Sequence, residues 1–558
     1  MKMNGAQILL HALKNQGVEK IFGYPGGAIM PTYDALHDFS SEIQHILVRH
    51  EQGAVHAAEG YARLKGRAGV CLATSGPGAT NLITGIADAM LDSVPLVCIT
   101  GQIDSNFLGT DAFQEADIIG MTIPVTKWNY QITHADEIPT IVAKAFDIAQ
   151  SGRPGPVLLD FTKDAQFEEI DYIPAPHVPQ QAALTFDATH ITQAAALINE
   201  AKKPYLLVGH GVIISKAQKV LQEFAEKAGI PVACTLLGLS AFSTGHPLYV
   251  GMLGMHGNYG PNVLTNEADL IIAVGMRFDD RVTGDLSCYA RQAKVIHIDI
   301  DLAEINKNVS TTLALVADAK CALQALLPLI KVNQHEQWLA QFNDCYRQEY
   351  EKVIAKEAYP TSGEIKMAEV IHVLSDKTEG QAILVTDVGQ HQMIAARYYD
   401  FKTSNAHITS GGLGTMGFAL PAAIGAQLAE PDRLVVVVAG DGGFQMNIQE
   451  LGVIAQENLP IKILVLNNSF LGMVRQWQEL FFEKRYSFTE LQNPDFEKIA
   501  QAYGICAECV SEREHLRSAM DRFLASPSSY LLEVRVEQQE NVFPMVPSKA
   551  GISQIRLN

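Results

Sequence analysis

The sequence predicts an α/β protein made of three doubly wound domains, each with a parallel sheet. Two segments with the same strand, Gly turn, helix, strand pattern support this prediction, one at 434–468 and the other at 69–102. Each has the length of a βαβ unit, about 30 residues. A third α/β pattern lies between them, at 204–300. Similar units at opposite ends of one chain favour a duplicated domain around a different central one.

The domain boundaries follow from length and linkers. A chain of 558 residues is long enough for several domains of ~150 residues. A proline-bearing stretch at 173–181 and a highly charged helical stretch at 334–357 read as linkers. We therefore expect domains at 1–180, 186–345 and 360–558.

Composition excludes several classes of function. Apolar residues make up 47% and charged residues 18% of the chain, so large cores are feasible. A net charge of −19 argues against nucleic acid or an anionic membrane surface as partner. We see no signal peptide and no apolar run of membrane-spanning length. Eight scattered cysteines fit reduced thiols in a cytoplasmic protein. Cys506 and Cys509 form a CxxC, but with no second pair nearby they are expected to begin a strand.

The first domain begins with an amphipathic helix at 4–16, for which Asn4 is a suitable N-cap. A strand at 21–23 leads into the Gly-rich loop 23–27, and a strand at 46–48 precedes a helix at 52–64. Glu51 ends that strand and begins the helix beside small apolar residues, which makes it the strongest catalytic candidate. The alternative is a helix-start carboxylate favoured by the helix dipole. His50 and Glu59 are expected to be structural.

The second half of this domain repeats the pattern. A strand at 69–74, the turn 75–78, a helix at 79–90 and a strand at 95–100 follow in order. A polar loop at 109–115 comes next, and the Gly-Arg-Pro-Gly-Pro run at 152–156 precedes a strand at 157–161.

The central domain is predicted from strands at 204–209, 231–235, 269–274 and 294–300. Gly209 and Gly211 form a GxG that lacks the third glycine of a dinucleotide fingerprint. Asp299, near a strand end, is placed to accept from a ribose hydroxyl. The charged loop 275–284 is either a ligand loop or a surface loop of ion pairs.

The last domain carries the most informative motif. A strand at 434–438 runs into Gly440-Asp441-Gly442, a helix is expected at 446–458, and the strand 461–466 ends in a pair of asparagines. Since parallel strands end at one sheet edge, Asp441 and Asn468 should meet there, and such oxygens suit Mg²⁺. Gly442 and Gly443 would let a diphosphate approach the backbone. A tight turn and a capped strand end are the alternative.

This GDG…NN motif resembles the thiamine diphosphate-binding motif. Further stretches resemble the catalytic subunit of the acetolactate synthase (acetohydroxyacid synthase) family: YPGG at 24–27, RHEQGA at 49–54, SGPGATN at 75–81, LGMHG at 253–257, RFDDRVTG at 277–284 and MVRQWQ at 473–478. The resemblance covers essentially the whole chain. A glyoxylate carboligase, by contrast, lacks the acid at Glu51, and FAD-free acetolactate synthases resemble the central segment less well.

The resemblance implies roles for individual residues. Glu51 would activate the cofactor's aminopyrimidine, and Met416 would support its bent shape. Trp477 and Arg277 would select and hold the second 2-oxo acid, with Phe113, Gln114 and Lys163 near the reacting carbons. The implied metal ligands are Asp441, Asn468 and the Phe470 carbonyl. Implied thiamine diphosphate contacts are Pro25, Gly26, Thr74, Pro77, Asn81, Val388, Gly389, Gln390, His391, Gly414, Met416, Gly442, Gly443, Leu471, Gly472 and Met473. Implied flavin contacts are Arg153, Gly209, Gly211, Thr235, Leu236, Leu253, Gly254, Met255, His256, Gly275, Arg277, Asp279, Arg281, Asp299, Ile300 and Asp318.

The implied activity is a carboligation: pyruvate is decarboxylated on thiamine diphosphate, and its two-carbon fragment is joined to pyruvate or 2-oxobutanoate. Mg²⁺ and a structural FAD are the other implied cofactors. A homodimer, or a dimer of dimers, and a small regulatory subunit are the implied partners. Two alternatives stay open: a pyruvate oxidase-like enzyme that uses its flavin for electrons, and a non-catalytic paralogue. A lid over the site is expected at 541–551.

Overall fold

A computed structural model describes residues 2–172 and 187–558 and contains three six-stranded sheets that are parallel throughout. This agrees with the predicted fold class. The predicted linker at 173–181 lies outside the described residues. Along the chain, strands and helices alternate within each sheet region, as parallel crossovers require.

In the first sheet, the central strands are near-continuous apolar runs buried on both faces, as the centre of a doubly wound domain should be. Its strands, in spatial order, are Gln44–Leu47, Lys20–Gly23, Gly69–Ala73, Leu96–Gln102, Pro156–Thr162 and Trp128–Ile132. Its main helices are Gly5–Asn15, Met30–Asp38, Glu51–Lys65, Ile83–Asp92 and Ile138–Gln150. Asn4 caps the first helix through a bond from the backbone N–H of Gln7 (2.9 Å), so the predicted N-cap is confirmed.

The last sheet repeats the spatial order of the first. Its strands are His407–Thr409, Ile383–Thr386, Val435–Gly440, Lys462–Asn467, Tyr530–Arg535 and Cys506–Val510. Its main helices are Met367–Thr378, Gln390–Tyr398, Ala419–Ala429, Gly472–Phe481, Phe496–Ala502 and Arg513–Ala525. Numbered along the chain, the strands of both sheets follow the order 2-1-3-4-6-5. The duplication suggested by the two βαβ segments therefore extends to the whole topology.

The central sheet has a different order, 3-2-1-4-5-6, which is the arrangement of dinucleotide-binding folds. Its strands are Tyr249–Met252, Val232–Cys234, Pro204–Val208, Leu270–Val274, Lys294–Asp299 and Leu313–Val316. Its main helices are Ala188–Glu200, Gln218–Ala228, Tyr259–Thr265 and Ala319–Leu326. Such sheets bind ligands where the strand order reverses, here between Pro204–Val208 and Leu270–Val274.

Shared cores join the sheets. One apolar cluster contains residues of the central and last sheets, and another contains residues of the first and last sheets. The charged linker forms the helix Glu336–Glu349, a π-helical turn Tyr350–Ile354 and the helix Ala355–Ala358. No helix among the described residues is both long and apolar enough to cross a bilayer.

Two predicted helices begin elsewhere. The helix expected at 446–458 begins at Asp441, runs to Met446, and resumes as Leu451–Gln456 after a 3₁₀ turn. The helix expected at 79–90 is split into Pro77–Thr80 and Ile83–Asp92. Glycine and proline at these helix starts masked the helical periodicity in the sequence.

Candidate active site

A small cavity of about 60 Å³ lies at the carboxyl ends of the strands Ile383–Thr386, Val435–Gly440 and Lys462–Asn467. Its lining includes almost every residue for which the sequence predicted a diphosphate or metal role in this domain. These are Val388, Gly389, Gln390, His391, Met416, Asp441, Gly442, Gly443, Asn468, Phe470, Leu471, Gly472 and Met473.

The predicted metal ligands Asp441 and Asn468 both line this cavity and are 1% and 3% exposed. Oδ2 of Asp441 accepts a bond of 2.7 Å from the side chain of Asn493. Oδ1 of Asn468 accepts from the backbone N–H of Phe470 (3.1 Å), while its Nδ2 donates to Gln390 (3.4 Å). These bonds orient both oxygens, and hard oxygen donors of this kind fit Mg²⁺.

Burial raises the pKa of Asp441 to about 6, which is the response of a carboxyl group that has lost water and has no counter-ion. Close backbone approach is enforced around it. A Cβ on Gly443 would overlap a carboxylate oxygen of Asp387, and one on Gly442 would lie 2.7 Å from Leu471. A side chain at Gly443 would therefore clash with Asp387, and glycines here leave the backbone N–H groups at the start of the helix Asp441–Met446 accessible to a diphosphate.

His391 lines the same cavity with an unsatisfied hydrogen-bonding atom. Its Nε2 is buried without a partner, and burial lowers its pKa to about 4, so the ring is neutral at pH 7. A buried ring nitrogen without a partner is costly. A ligand oxygen in the cavity would satisfy it.

A second cavity, of about 740 Å³, opens at the switch point of the central sheet. Most of the predicted flavin residues line it: Arg153, Gly211, Thr235, Leu236, Leu253, Gly254, Met255, His256, Gly275, Arg277, Asp279, Arg281, Asp299, Ile300 and Asp318. Gly209 is not among the lining residues. It lies behind Gly275, whose carbonyl oxygen a Cβ on Gly209 would overlap, so its lack of a side chain serves strand packing.

Several lining residues have a local structural role as well. Asp279 caps the helix Asp280–Thr283 by accepting from the N–H groups of Arg281 and Val282. Arg153 reaches this cavity from the first domain and donates to Ser93 (2.8 Å) and Glu304 (3.1 Å). His256 has a buried, unpartnered Nδ1, and burial lowers its pKa to about 3.

The two cavities share part of their lining. Val388, Gly389, Met416 and Met473 line both, so the central cavity reaches the edge of the diphosphate cavity. Gly414 and Trp477 also line the large cavity, together with Arg277 from the central domain. The proposed substrate-selecting pair is thus brought to one cavity, with Trp477 still 38% exposed.

The residues predicted to contact the aminopyrimidine ring of the cofactor form a separate group in the first domain. Glu51 is 9% exposed, and its Oε2 accepts a bond of 2.9 Å from the Asn81 side chain. A Cβ on Gly26 would lie 2.5 Å from Thr74, and one on Gly78, beside Pro77, would lie 3.3 Å from Oε1 of Glu51. The loops 24–27 and 74–81 therefore close around this carboxylate.

Three other predicted residues lie at the edges of this group. Gln114 has a positive φ of 62° and lies against Gly76, while Phe113 beside it is 87% exposed. Lys163 begins the short helix Lys163–Phe167 at the end of a sheet strand. Pro25 precedes Gly26 in the first Gly-rich loop.

Within one chain, the group around Glu51 does not reach the diphosphate cavity, although the first and last domains are in contact. The helix Glu51–Lys65 packs closely on Ala419–Ala429, and a Cβ on Gly60 would overlap the carbonyl oxygen of Ala422. The backbone N–H of Arg49 donates to Glu450 at 3.1 Å. The diphosphate cavity is lined by residues 367–474, with none from the group around Glu51.

Sequence reasoning missed several residues that support the site. Asn493 orients Asp441, and Gln476 accepts from Gln390 at 2.9 Å while holding Val542 of the C-terminal segment. Asn493 lies far along the chain in an irregular stretch, which gives no periodic signal. The only sequence signal for Gln476 is its place beside Trp477 in the MVRQWQ run.

The fold and the two cavities define a thiamine diphosphate-dependent enzyme. Residues 3–121, 191–326 and 387–534 match, respectively, the N-terminal TPP binding domain, the central domain and the C-terminal TPP binding domain of thiamine pyrophosphate enzymes.

Comparison with full-length relatives identifies the family within this class of enzymes. The acetolactate synthase isozyme 2 large subunit of Escherichia coli is 48% identical over 99% of both chains. The acetolactate synthase large subunit of Lactococcus lactis is 46% identical over 98% of this chain and 94% of its own. Chloroplastic acetolactate synthase of Arabidopsis thaliana is 46% identical over 99% of this chain and 84% of its own. The chain belongs to the acetolactate synthase large-subunit family.

Proposed function

We propose that this protein decarboxylates pyruvate and joins the resulting two-carbon fragment to a second pyruvate, giving 2-acetolactate, or to 2-oxobutanoate, giving 2-aceto-2-hydroxybutanoate. The names of its full-length relatives support this activity. The observation that carries the proposal is that Asp441, Asn468 and the glycines of the same turn line one cavity at the sheet edge.

Mg²⁺ would be held by Asp441, Asn468 and the carbonyl of Phe470. The orientation of the first two oxygens by Asn493 and by the Phe470 N–H supports this assignment. The metal in turn would hold the cofactor diphosphate, because Mg²⁺ takes few protein ligands and completes its shell with phosphate oxygens. His391 would donate or accept at the same diphosphate end.

Thiamine diphosphate supplies an electron sink that lets CO₂ leave from a bound 2-oxo acid. The chain's own contribution at the other end is Glu51. Its buried carboxylate, held by Asn81, would exchange a proton with the aminopyrimidine ring. Phe113, Gln114 and Lys163 would lie beside the reacting carbons.

The site would be shared between two copies of the chain. The group around Glu51 lies in the first domain and the diphosphate cavity in the last, and within one chain no residue of that group lines the cavity. A homodimer in which Glu51 of one copy meets Asp441 of the other would complete each site. A dimer of dimers and a small regulatory subunit, which the name "large subunit" of the relatives suggests, are compatible additions.

FAD would occupy the central cavity, whose strand order and size suit a dinucleotide. Its role would be structural, since carboligation involves no net redox step. Arg277, which lines the same cavity as Trp477, would bind the carboxylate of the second 2-oxo acid, and Trp477 would form the wall that selects its side chain.

We also propose the domain limits 1–180, 186–345 and 360–558, which the three family matches and the three sheets support. The eight cysteines are all free, which supports a reducing compartment such as the cytoplasm.

One assay separates this function from its rivals. The purified protein, loaded with thiamine diphosphate, Mg²⁺ and FAD, is given pyruvate while acetolactate, O₂ uptake and quinone reduction are followed together. Acetolactate without acceptor reduction is the expected result. Acceptor reduction in step with pyruvate loss would mean an oxidase, and no pyruvate loss by the loaded protein would mean a non-catalytic paralogue.

A further inference from the structure

A buried polar cluster joins the first domain to the Gly-rich cofactor loop 410–417. Ser410 and Thr415 donate their hydroxyl protons to Oδ1 of Asp88, at 3.1 Å for Thr415. Asp92, on the same helix as Asp88, also contacts the loop: it accepts from the backbone N–H groups of Gly411 (2.9 Å) and Gly412 (2.6 Å). The helix Ile83–Asp92, which belongs to the first domain, therefore holds a loop of the last domain.

The loop that is held here is part of the proposed cofactor site. Gly414 and Met416 line the large cavity, and Met416 also lines the diphosphate cavity. The other end of the loop is held from within its own domain, since Asp387 accepts from the backbone N–H of Gly417 at 3.0 Å. The position of Met416 thus depends on both domains.

Asp88 also lies close to a second buried carboxyl group, that of Glu59. Asp88 and Glu59 are both 0% exposed, and Oδ2 of Asp88 and Oε2 of Glu59 are each buried without a partner. One side-chain oxygen of Glu59, one of Asp88 and one ring nitrogen of His56 all lie within 4.8 Å of one another. Two carboxylates this close, in a dry interior, cannot both be ionised without a neutralising proton or cation.

The charges around the pair favour a proton. From the helix Glu51–Lys65, Arg63 lies 3.9 Å from the unpartnered oxygen of Glu59, where it would repel a cation. Arg63 is itself paired with Asp92 at 2.8 Å, so it does not neutralise the pair fully. His56 donates or accepts at the other oxygen of Glu59 (2.9 Å), and Asp387 faces His56 from the last domain.

We propose that Asp88 is a positioning residue for the thiamine cofactor. Asp88 and Glu59 hold one proton between them, and Asp88 holds the Ser410–Thr415 end of the cofactor loop. The inference rests on the proposed function only in that thiamine diphosphate binds beside this loop. Burial, followed by the charge of Glu59, raises the pKa of Asp88 to about 8, which agrees with a proton held at neutral pH.

The two substitutions Asp88→Asn and Asp88→Ala distinguish this role from general stability. An amide at position 88 keeps an oxygen for Ser410 and Thr415 and offers an N–H to Glu59 in place of the shared proton. Alanine removes both. The matched control is Asp160→Asn, because Asp160 is equally buried in the first domain but bonds only to Thr100, Gln102 and Gln131 of that domain.

The experiment measures the dissociation constant of thiamine diphosphate with Mg²⁺ by calorimetry on the full chain at pH 7. Asp88→Ala should raise the constant about tenfold or more, because the loop loses the shared acceptor of the bonds from Ser410 and Thr415. Asp88→Asn and Asp160→Asn should stay within about twofold of the unchanged protein, because the loop keeps its acceptor. An Asp88→Asn protein as weak as Asp88→Ala, or an Asp88→Ala protein no weaker than Asp160→Asn, would overturn the proposal.

Should Asp88→Ala not fold, Thr415→Val tests the same bond from the loop side. It should weaken cofactor binding by a similar factor in the parent and in the Asp88→Asn background, because the amide keeps the acceptor oxygen for Thr415. A Thr415→Val protein that binds the cofactor as tightly as the parent would overturn the proposal. Because binding is measured without turnover, a protein that binds the cofactor but forms no acetolactate would remove the proposed function and leave this inference standing.

Discussion

The side-chain amide of Asn81 donates a hydrogen bond of 2.9 Å to Oε2 of Glu51, at the first turn of the helix that also joins the first domain to the last. Oε1 of Glu51 is left facing the loop at Gly78. One carboxylate oxygen is therefore fixed by the protein and the other is free to meet a ligand.

Replacing Glu51 with Gln should lower turnover by about 10²- to 10⁴-fold, the usual contribution of a general acid or base. The amide keeps the shape of the side chain but cannot exchange a proton with the cofactor ring. Acetolactate formation is the measurement, with cofactor binding measured alongside. Glu169→Gln, at an exposed position of the same domain, is the control and should be neutral. Undiminished turnover in Glu51→Gln would contradict the proposed proton exchange between Glu51 and the cofactor ring.

Replacing Gly60 with Ala should destabilise the protein by about 2 kcal/mol or more, because a Cβ there meets backbone of the last domain that cannot move aside. Thermal unfolding followed by circular dichroism measures the loss. Gly245→Ala is a matched control, since the nearest atom to a Cβ at Gly245 is 3.9 Å away. If Gly60→Ala and Gly245→Ala both unfold at the same temperature as the parent protein, the two helices do not pack as closely as described.

The pH dependence of stability should carry the signature of Asp88. Burial raises its pKa from the usual 3.8 to about 8, so between these values the native protein holds a proton that the unfolded chain releases. The free energy of unfolding should therefore fall as pH rises through this window, and this contribution should be constant above about pH 8.

Thermal midpoints measured from pH 5 to 9 test this sign. Relative to the parent, Asp88→Asn should gain stability as pH rises up to about 8, because the amide has no proton to lose. Asp160→Asn offers a comparison, since burial raises the pKa of Asp160 only to about 6, and its gain should stop there. A gain for Asp88→Asn at falling pH would contradict the assignment.

The flavin should be dispensable as an electron carrier. Protein reconstituted with 5-deaza-FAD, which fills the same cavity but is a poor one-electron carrier, should keep acetolactate formation close to that with FAD. Protein without any flavin should lose activity and stability, because the large central cavity would lose its contents. Activity with FAD and none with the deaza analogue would instead favour the oxidase.

The sequence predicted the sheets well, because buried parallel strands read as continuous apolar runs between glycine turns. It also predicted which residues end those strands, and Asp441 and Asn468 duly line one cavity. These are local features, which a spacing of one βαβ unit is enough to reveal.

The supporting contacts could not be predicted in the same way. Asp88 bonds to Ser410 and Thr415, and Arg49 to Glu450, across several hundred residues of chain. Nothing in the neighbourhood of Asp88 distinguishes it from a surface carboxylate on an amphipathic helix. Glu59 is predicted from the sequence to be structural. Its burial beside Asp88 is consistent with that prediction.

The central claim is that Glu51 of one copy and Asp441 of another form one site, and complementation between two inactive variants tests it most directly. Glu51→Gln and Asp441→Ala chains carrying different tags are co-expressed, and the hybrid dimers are isolated. Each hybrid holds one site with both native residues and one with neither, so turnover should return to about half that of the parent dimer. Hybrids as inactive as either variant alone would contradict the account, because they would place both residues in a site made by a single chain.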